Sequence, residues 1–286
     1  MKNYNQLINK VLAEGIPSQD RTGVGTLSLF GEQLRFDLSA GFPAVTTKRL
    51  AWRAVVAELL WFIEGSGDER RLAEIQHGTR DSTKTTIWSA NSDADYWKAK
   101  AKFPGDLGRV YGVQWRDWHS PSFVGSYNFT STDQLKNLIT GLLKDPTGRR
   151  HILTAWNPGE LDQMALPPCH MFAQFYLRNN RLSCQMYQRS ADLFLGVPFN
   201  IASYSLLTHL IAQEISAEVG EFILTFGDVH IYINHIEQCK LQVSRDTFEL
   251  AELDISTVPS LFTATVDQCK LINYQFHPAI SAPMAV

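Results

Sequence analysis

Two short stretches hold the residue types that can do covalent chemistry. One is Ala165-Leu166-Pro167-Pro168-Cys169-His170; the other, a hairpin later, is Tyr187-Gln188-Arg189-Ser190-Ala191-Asp192. Proline cannot donate to a sheet ladder, so Pro167-Pro168 ends regular pairing and leaves Cys169 at a strand entrance. The next strand runs into Gln-Arg-Ser, which supplies an amide, a cation and a hydroxyl. A guanidinium near a thiol lowers its pKa, and the thiolate is the nucleophile. Neighbours on a strand point to opposite faces, so His170 reads as structural and a cysteine hydrolase built on a Cys-His pair loses support. Glu58 is the other chemical oddity. It is a lone carboxylate in a strongly apolar helical run, where burial raises its pKa and suits it to proton transfer through water.

These groups need a scaffold, and the hydrophobic period predicts one. Residues 3–14 read as an amphipathic helix with Tyr4, Leu7, Ile8, Val11 and Leu12 on one face, ended by Gly15 and Pro17. Leu27, Leu29, Leu34, Phe36 and Leu38 alternate around Gly31, as in a strand with a bend. Helices are expected over 52–64, from Asp68 through Ile75, and over 133–143 behind a Thr132 or Asp133 cap. Residues 78–121 read as a loop-rich, aromatic stretch of the kind that carries function. Strands are expected at 151–156, 170–177 and 182–188, the last two turning at Asn179-Asn180. An apolar helix over 199–214, a strand at 221–226, a helix at 232–243 and a strand near 269–276 complete the pattern. Strands and helices mix without strict alternation. The expected fold is therefore α+β, one large mixed β-sheet with surrounding helices in a single domain over 1–286.

Composition narrows the functional classes. The 286 residues are 44% hydrophobic, with 16 Phe, 9 Tyr and 7 Trp, enough for a sizeable core. A net charge of -3 disfavours a general nucleic-acid binder, so an anionic ligand must be held by local arginines. No signal peptide and no run of eighteen apolar residues is visible. The four cysteines lack CxxC spacing, which points to reduced thiols in a cytoplasmic protein without a structural zinc.

The motifs recur in a longer series. Asp20-Arg21-Thr22-Gly23, Thr46-Thr47-Lys48-Arg49, Glu58 to Phe62, Asp106-Leu107-Gly108, Val110-Tyr111-Gly112, Arg149-Arg150 and Ala155-Trp156-Asn157 precede the thiol. Phe194-Leu195-Gly196, Pro198 to Tyr204, Gly227-Asp228, His230-Ile231-Tyr232 and Ala285-Val286 follow it. In this order the series resembles thymidylate synthase over nearly the whole chain.

That resemblance implies a homodimer whose sheets pack face to face, acting on dUMP with 5,10-methylenetetrahydrofolate as co-substrate, without a metal or a membrane. It casts Cys169 as the nucleophile at C6 of uracil, with Glu58, Tyr111, Arg189 and Asn200 as the other catalytic residues. Arg21 and Arg189, with Arg149 and Arg150 reaching over from the partner, would hold the phosphate through guanidinium forks, and Ser190 would add a hydroxyl. Gln188 and Asp192 would also meet the nucleotide. The Asn200 carboxamide would take the uracil N3–H and donate to O4, the reverse of what cytosine presents. From position alone Asn200 could instead cap a helix. His230 and Tyr232 would hold the sugar hydroxyl. Lys48, Trp88, Leu166, Asp192, Gly196, Phe199, Ala285 and Val286 would face the folate.

Three features depart from the family pattern. Ser89 follows Trp88 where Asp is usual, Arg109 follows Gly108 where Pro is usual, and residues 78–104 are long. All lie on the folate side, where a dUMP hydroxymethylase, which uses water instead of hydride, would diverge. Trp88, Leu166 and the closing Ala-Val favour hydride transfer. A regulator that binds RNA is the rival from another class, disfavoured by the charge and by the intact thiol, Arg and Asn set.

Overall fold

The computed structural model describes the chain except Arg21, residues 124–126 and residues 285–286. α1 (Lys2–Glu14) buries Tyr4, Leu7, Ile8 and Val11, the face its period marks. β1 (Ile16–Ser18), β2 (Thr26–Phe30) and β3 (Gln33–Asp37) follow, with the expected bend between the last two at Gly31. α2 (Trp52–Glu64) is buried on most sides, and α3 (Glu69–His77) starts at Asp68, whose carboxylate accepts from the Arg70 N–H.

The loop-rich stretch is more ordered than its composition suggests. It holds the short helices α4 (Ser89–Ser92), α5 (Asp95–Lys98) and α6 (Tyr111–Arg116), then a hairpin of β4 (Trp118–Phe123) and β5 (Tyr127–Thr132). α7 (Gln134–Lys144) is capped by Asp133, not Thr132, its carboxylate accepting from the Lys136 N–H. β6 (Ile152–Thr154), β7 (His170–Arg178) and β8 (Arg181–Asp192) lead to α8 (Gly196–Glu214). β9 (Glu218–Tyr232), α9 (Ile236–Val243), β10 (Glu252–Asp254) and β11 (Lys270–Ile272) close the chain.

Three boundaries move for physical reasons. β9 does not stop at Phe226, because it is flanked on both sides: β8 runs parallel to it while β2 and β3 pair antiparallel along its other edge. The expected helix at 232–243 begins later, after a 3-10 turn over Ile233–His235. The last strand shrinks to three residues, because its partner β10 is that short and lies outside the main sheet.

Among the described residues the main sheet has seven strands in the order β1-β2-β9-β8-β7-β6, with β3 beside the first part of β9. Alternation gives each face a distinct character. Ala173, Phe175, Cys184, Met186, Phe222, Leu224 and Phe226 point to one side and are buried with α8 in the core. Phe172, Tyr176 and Tyr187 point to the other, with Gln174, Gln185 and Thr225 in register between them. On that face Phe172 and Tyr176 are 41% and 50% exposed, and Phe172 stacks on Tyr187 with centroids 6.0 Å apart.

Candidate active site

Where the parallel pair β8 and β9 ends and β7 begins, the sheet opens into a cleft of about 490 Å³. Cys169 sits there one residue ahead of β7, after the proline pair. Its N–H donates to Tyr111 Oη at 2.7 Å, and its carbonyl accepts from the Arg189 N–H at 2.8 Å. The Arg189 side chain reaches back along the same turn. Nε donates to the Pro168 carbonyl at 2.9 Å, Nη2 to the Pro167 carbonyl at 3.0 Å, and Nη2 lies 4.0 Å from Cys169 Sγ. The two proline carbonyls thus aim the cation at the sulfur. Gly227 makes this packing possible: a Cβ there would stand 2.8 Å from Tyr187 Oη and 2.9 Å from the Arg189 carbonyl.

Tyr111 reaches the thiol because α6 presses onto α2. At Gly112 a Cβ would lie 2.6 Å from the Phe62 backbone, so only glycine permits the approach. α2 carries Glu58, whose Oε1 accepts from the Trp88 indole N–H at 2.7 Å. Burial pushes the Glu58 carboxyl up to about 7, against the pull of that indole bond. His170 stacks on Tyr111 at 4.1 Å, and its Nδ1 pairs with Tyr204 Oη at 2.9 Å. Strand alternation does not separate it from Cys169, since both line the cleft. What removes it as a base is burial, which drives the imidazole down to about 3 and keeps it neutral.

Asn200 lies in the second turn of α8, which starts at Gly196, so it caps nothing. Gln188 Nε2 donates to Asn200 Oδ1 at 3.0 Å and to the Ser190 carbonyl at 3.1 Å. Those bonds decide which end of the Asn200 carboxamide is oxygen. Asp192 Oδ1 accepts from the Phe194 and Leu195 N–H groups, tying the turn into α8. His230 and Tyr232, two apart on β9, both line the cleft. Asp228, which the Gly227-Asp228 motif carries without a stated role, pairs its Oδ1 with His230 Nδ1 at 2.6 Å, and its Oδ2 accepts from Ser28 Oγ at 2.9 Å. Spacing of two on a strand was the available signal. Ile87 and Asn91, flanking Trp88, and Met284 also line the cleft unforeseen.

Leu166, Ser190 and Gly196 join the same wall. Four expected residues do not. Lys48 is buried under the turn, its Nζ donating to the Phe194 carbonyl at 2.5 Å and sitting 3.5 Å over the Phe194 ring; burial lowers it to about 8. Phe199 packs against the core. Arg149 and Arg150 are exposed after α7, Arg150 facing a separate hollow of about 300 Å³ beside Lys144 and His151. Among the described residues Arg189 is the one arginine lining the cleft. Arg21, Ala285 and Val286 lie outside the described residues.

The two point departures, Ser89 and Arg109, do not line the cleft. Ser89 Oγ donates to Glu69 Oε1 at 2.6 Å, and Arg109 Nε donates to Glu160 Oε2 at 2.6 Å. With that geometry in view, a family comparison is decisive: the thymidylate synthase family model matches residues 2–286. The chain belongs to the thymidylate synthase family. Family members are methyltransferases of nucleotide biosynthesis that use methylenetetrahydrofolate as co-substrate. Among the described residues no group of three or more His, Cys, Asp or Glu could hold a metal, and no helix is long and apolar enough to cross a membrane.

Proposed function

We propose that this chain is a thymidylate synthase, converting dUMP and 5,10-methylenetetrahydrofolate to dTMP and dihydrofolate. The observation that carries this is one cleft holding a thiol with a guanidinium 4.0 Å away and an amide of set orientation. Cys169 adds to C6 of the uracil ring, Arg189 favouring the thiolate, and electron density moves to C5, a poor nucleophile otherwise. Asn200 accepts from N3–H through its oxygen and donates to O4 through its nitrogen. Glu58, ionising near neutral pH, passes protons through water; burial keeps the Tyr111 phenol protonated, so Tyr111 lies beside the C5 proton as a hydrogen-bonding neighbour and that proton leaves to water. His230 and Tyr232 hold the sugar.

The wall around Trp88, Ile87 and Leu166, with the Asp192 carboxylate, suits a flat heteroaromatic ring with polar edges. The folate supplies the one-carbon unit and the hydride. The phosphate dianion needs more cations than Arg189, whose Nε and Nη2 are already engaged. Arg21 and the partner's Arg149 and Arg150 complete its shell, in a homodimer joined through the sheet face that exposes Phe172 and Tyr176. Exposed aromatic side chains on a sheet face, such as Phe172 and Tyr176, call for a covering surface.

The test is a product assay that follows nucleotide mass and dihydrofolate absorbance together. dTMP with dihydrofolate supports the reading. Hydroxymethyl-dUMP without dihydrofolate would replace it with the dUMP hydroxymethylase.

A further inference from the structure

Glu69 opens α3 and is 1% exposed, yet it takes no part in the cleft. A carboxylate so deeply buried is costly unless fully bonded. Here it is. Arg70 donates to it from Nε and Nη2, each at 2.6 Å. Its Oε1 also accepts from Thr86 Oγ1 at 2.7 Å and from Ser89 Oγ at 2.6 Å. The two hydroxyls belong to the segment that carries the cleft wall. Thr86 Oγ1 in turn accepts the Trp88 N–H at 3.2 Å, and Ser89 Oγ accepts the Thr86 N–H at 2.8 Å. The segment is therefore closed into a loop and fastened to α3 at one oxygen. Between and beside the fastened residues lie Ile87, Trp88 and Asn91, all facing the cleft. Trp88 then bonds Glu58.

We infer that Glu69 is a positioning residue for the reaction proposed above, holding the folate-side wall through Thr86 and Ser89. The same arrangement accounts for Ser89 itself. An Asp at that position would put a second carboxylate against Glu69, and two carboxylates at hydrogen-bonding distance cannot both stay ionised. The hydroxyl donates where a carboxylate would repel. Glu69 and Ser89 thus act as one unit.

The test leaves the buried ion pair intact and removes the hydroxyls. A Thr86→Val, Ser89→Ala double variant is compared with Ser89→Thr, Ser89→Asp and the unaltered protein. Urea unfolding establishes that each is folded. Calorimetry gives the affinity for dUMP alone and for dihydrofolate added to the dTMP-bound protein; kinetics give the folate KM, kcat and the pH profile. The double variant should keep dUMP affinity within about twofold while losing on the order of tenfold for the folate, about 1.4 kcal/mol. The pH limb belonging to Glu58 should move upward, because the indole bond that stabilises the carboxylate is loosened. Ser89→Thr should restore both, and Ser89→Asp should be worse than the double variant. A folded double variant with unchanged folate affinity and an unchanged limb overturns the inference. So does an equal loss for dUMP and folate, which is what general loosening would produce. If the unaltered protein makes no dTMP, the reaction reading fails by itself, and the two calorimetric affinities still decide the role of Glu69.

Discussion

Replacing Glu58 with Gln separates the burial of this carboxyl from its chemistry. In the folded chain the group ionises near 7 and in an unfolded chain near 4.5. The sign follows from which state binds the proton. Below about pH 4.5 both states are protonated and no penalty exists. As pH rises through the window from 4.5 to 7, the unfolded chain ionises first, and folding must keep the group neutral or bury its charge. Above pH 7 the penalty is complete, about 3 kcal/mol from 2.303RT times the difference. Partial exposure to the cleft makes this an upper value. Glu58→Gln keeps an oxygen for the Trp88 indole and removes the titration. The variant's stability advantage should therefore grow by roughly 2 kcal/mol between pH 5 and pH 8. Urea unfolding of both proteins at several pH values measures it, with equal slopes m as the control. Turnover should fall by about 100-fold or more, and the limb near neutral pH should vanish. A constant difference in stability across that window would refute the burial argument, whatever happened to turnover.

Four further outcomes are expected. Cys169→Ser should make no dTMP and form no mass-detectable covalent adduct; turnover in that variant would end its assignment as nucleophile. Asn200→Asp should lower the preference for dUMP over dCMP by roughly 100-fold, and unchanged discrimination would sink the amide argument. Gly227→Ala should cost about 1–3 kcal/mol, because its Cβ meets Tyr187 Oη at 2.8 Å and the Arg189 carbonyl at 2.9 Å. A wild-type urea midpoint would contradict that crowding. Inactive Cys169→Ser protein refolded with an inactive Arg149→Ala, Arg150→Ala variant should recover activity, since mixed dimers regain one complete site. No recovery would place those arginines outside the shared site.

Much of the fold was legible because its signals are local. The amphipathic face of α1, the Asp68 cap and the Asn179-Asn180 turn are each decided within a few residues. The hairpin over 118–132 and the full length of β9 were not. Both depend on pairing with chain segments far away, and Gly227-Asp228 reads locally as a turn. In the site, residue type marked Cys169 and Arg189 as candidates and the resemblance added Asn200, whereas their partners could not be read. Gln188 meets Asn200 across twelve residues, and Tyr111 meets Cys169 across fifty-eight.

From the sequence came the inventory: a lone thiol behind two prolines, a carboxylate in an apolar helix, and an amide after a strand. Side-chain type and short-range spacing settle those, since nucleophilicity and hydrogen-bonding capacity are properties of single residues. Tertiary structure alone decided what each group feels. It turned Lys48 inward, made His170 a neutral buried ring, and brought Trp88 to Glu58 by fastening its loop to Glu69. Burial and electrostatic neighbourhood arise from contacts between distant parts of the chain, and no local pattern encodes them.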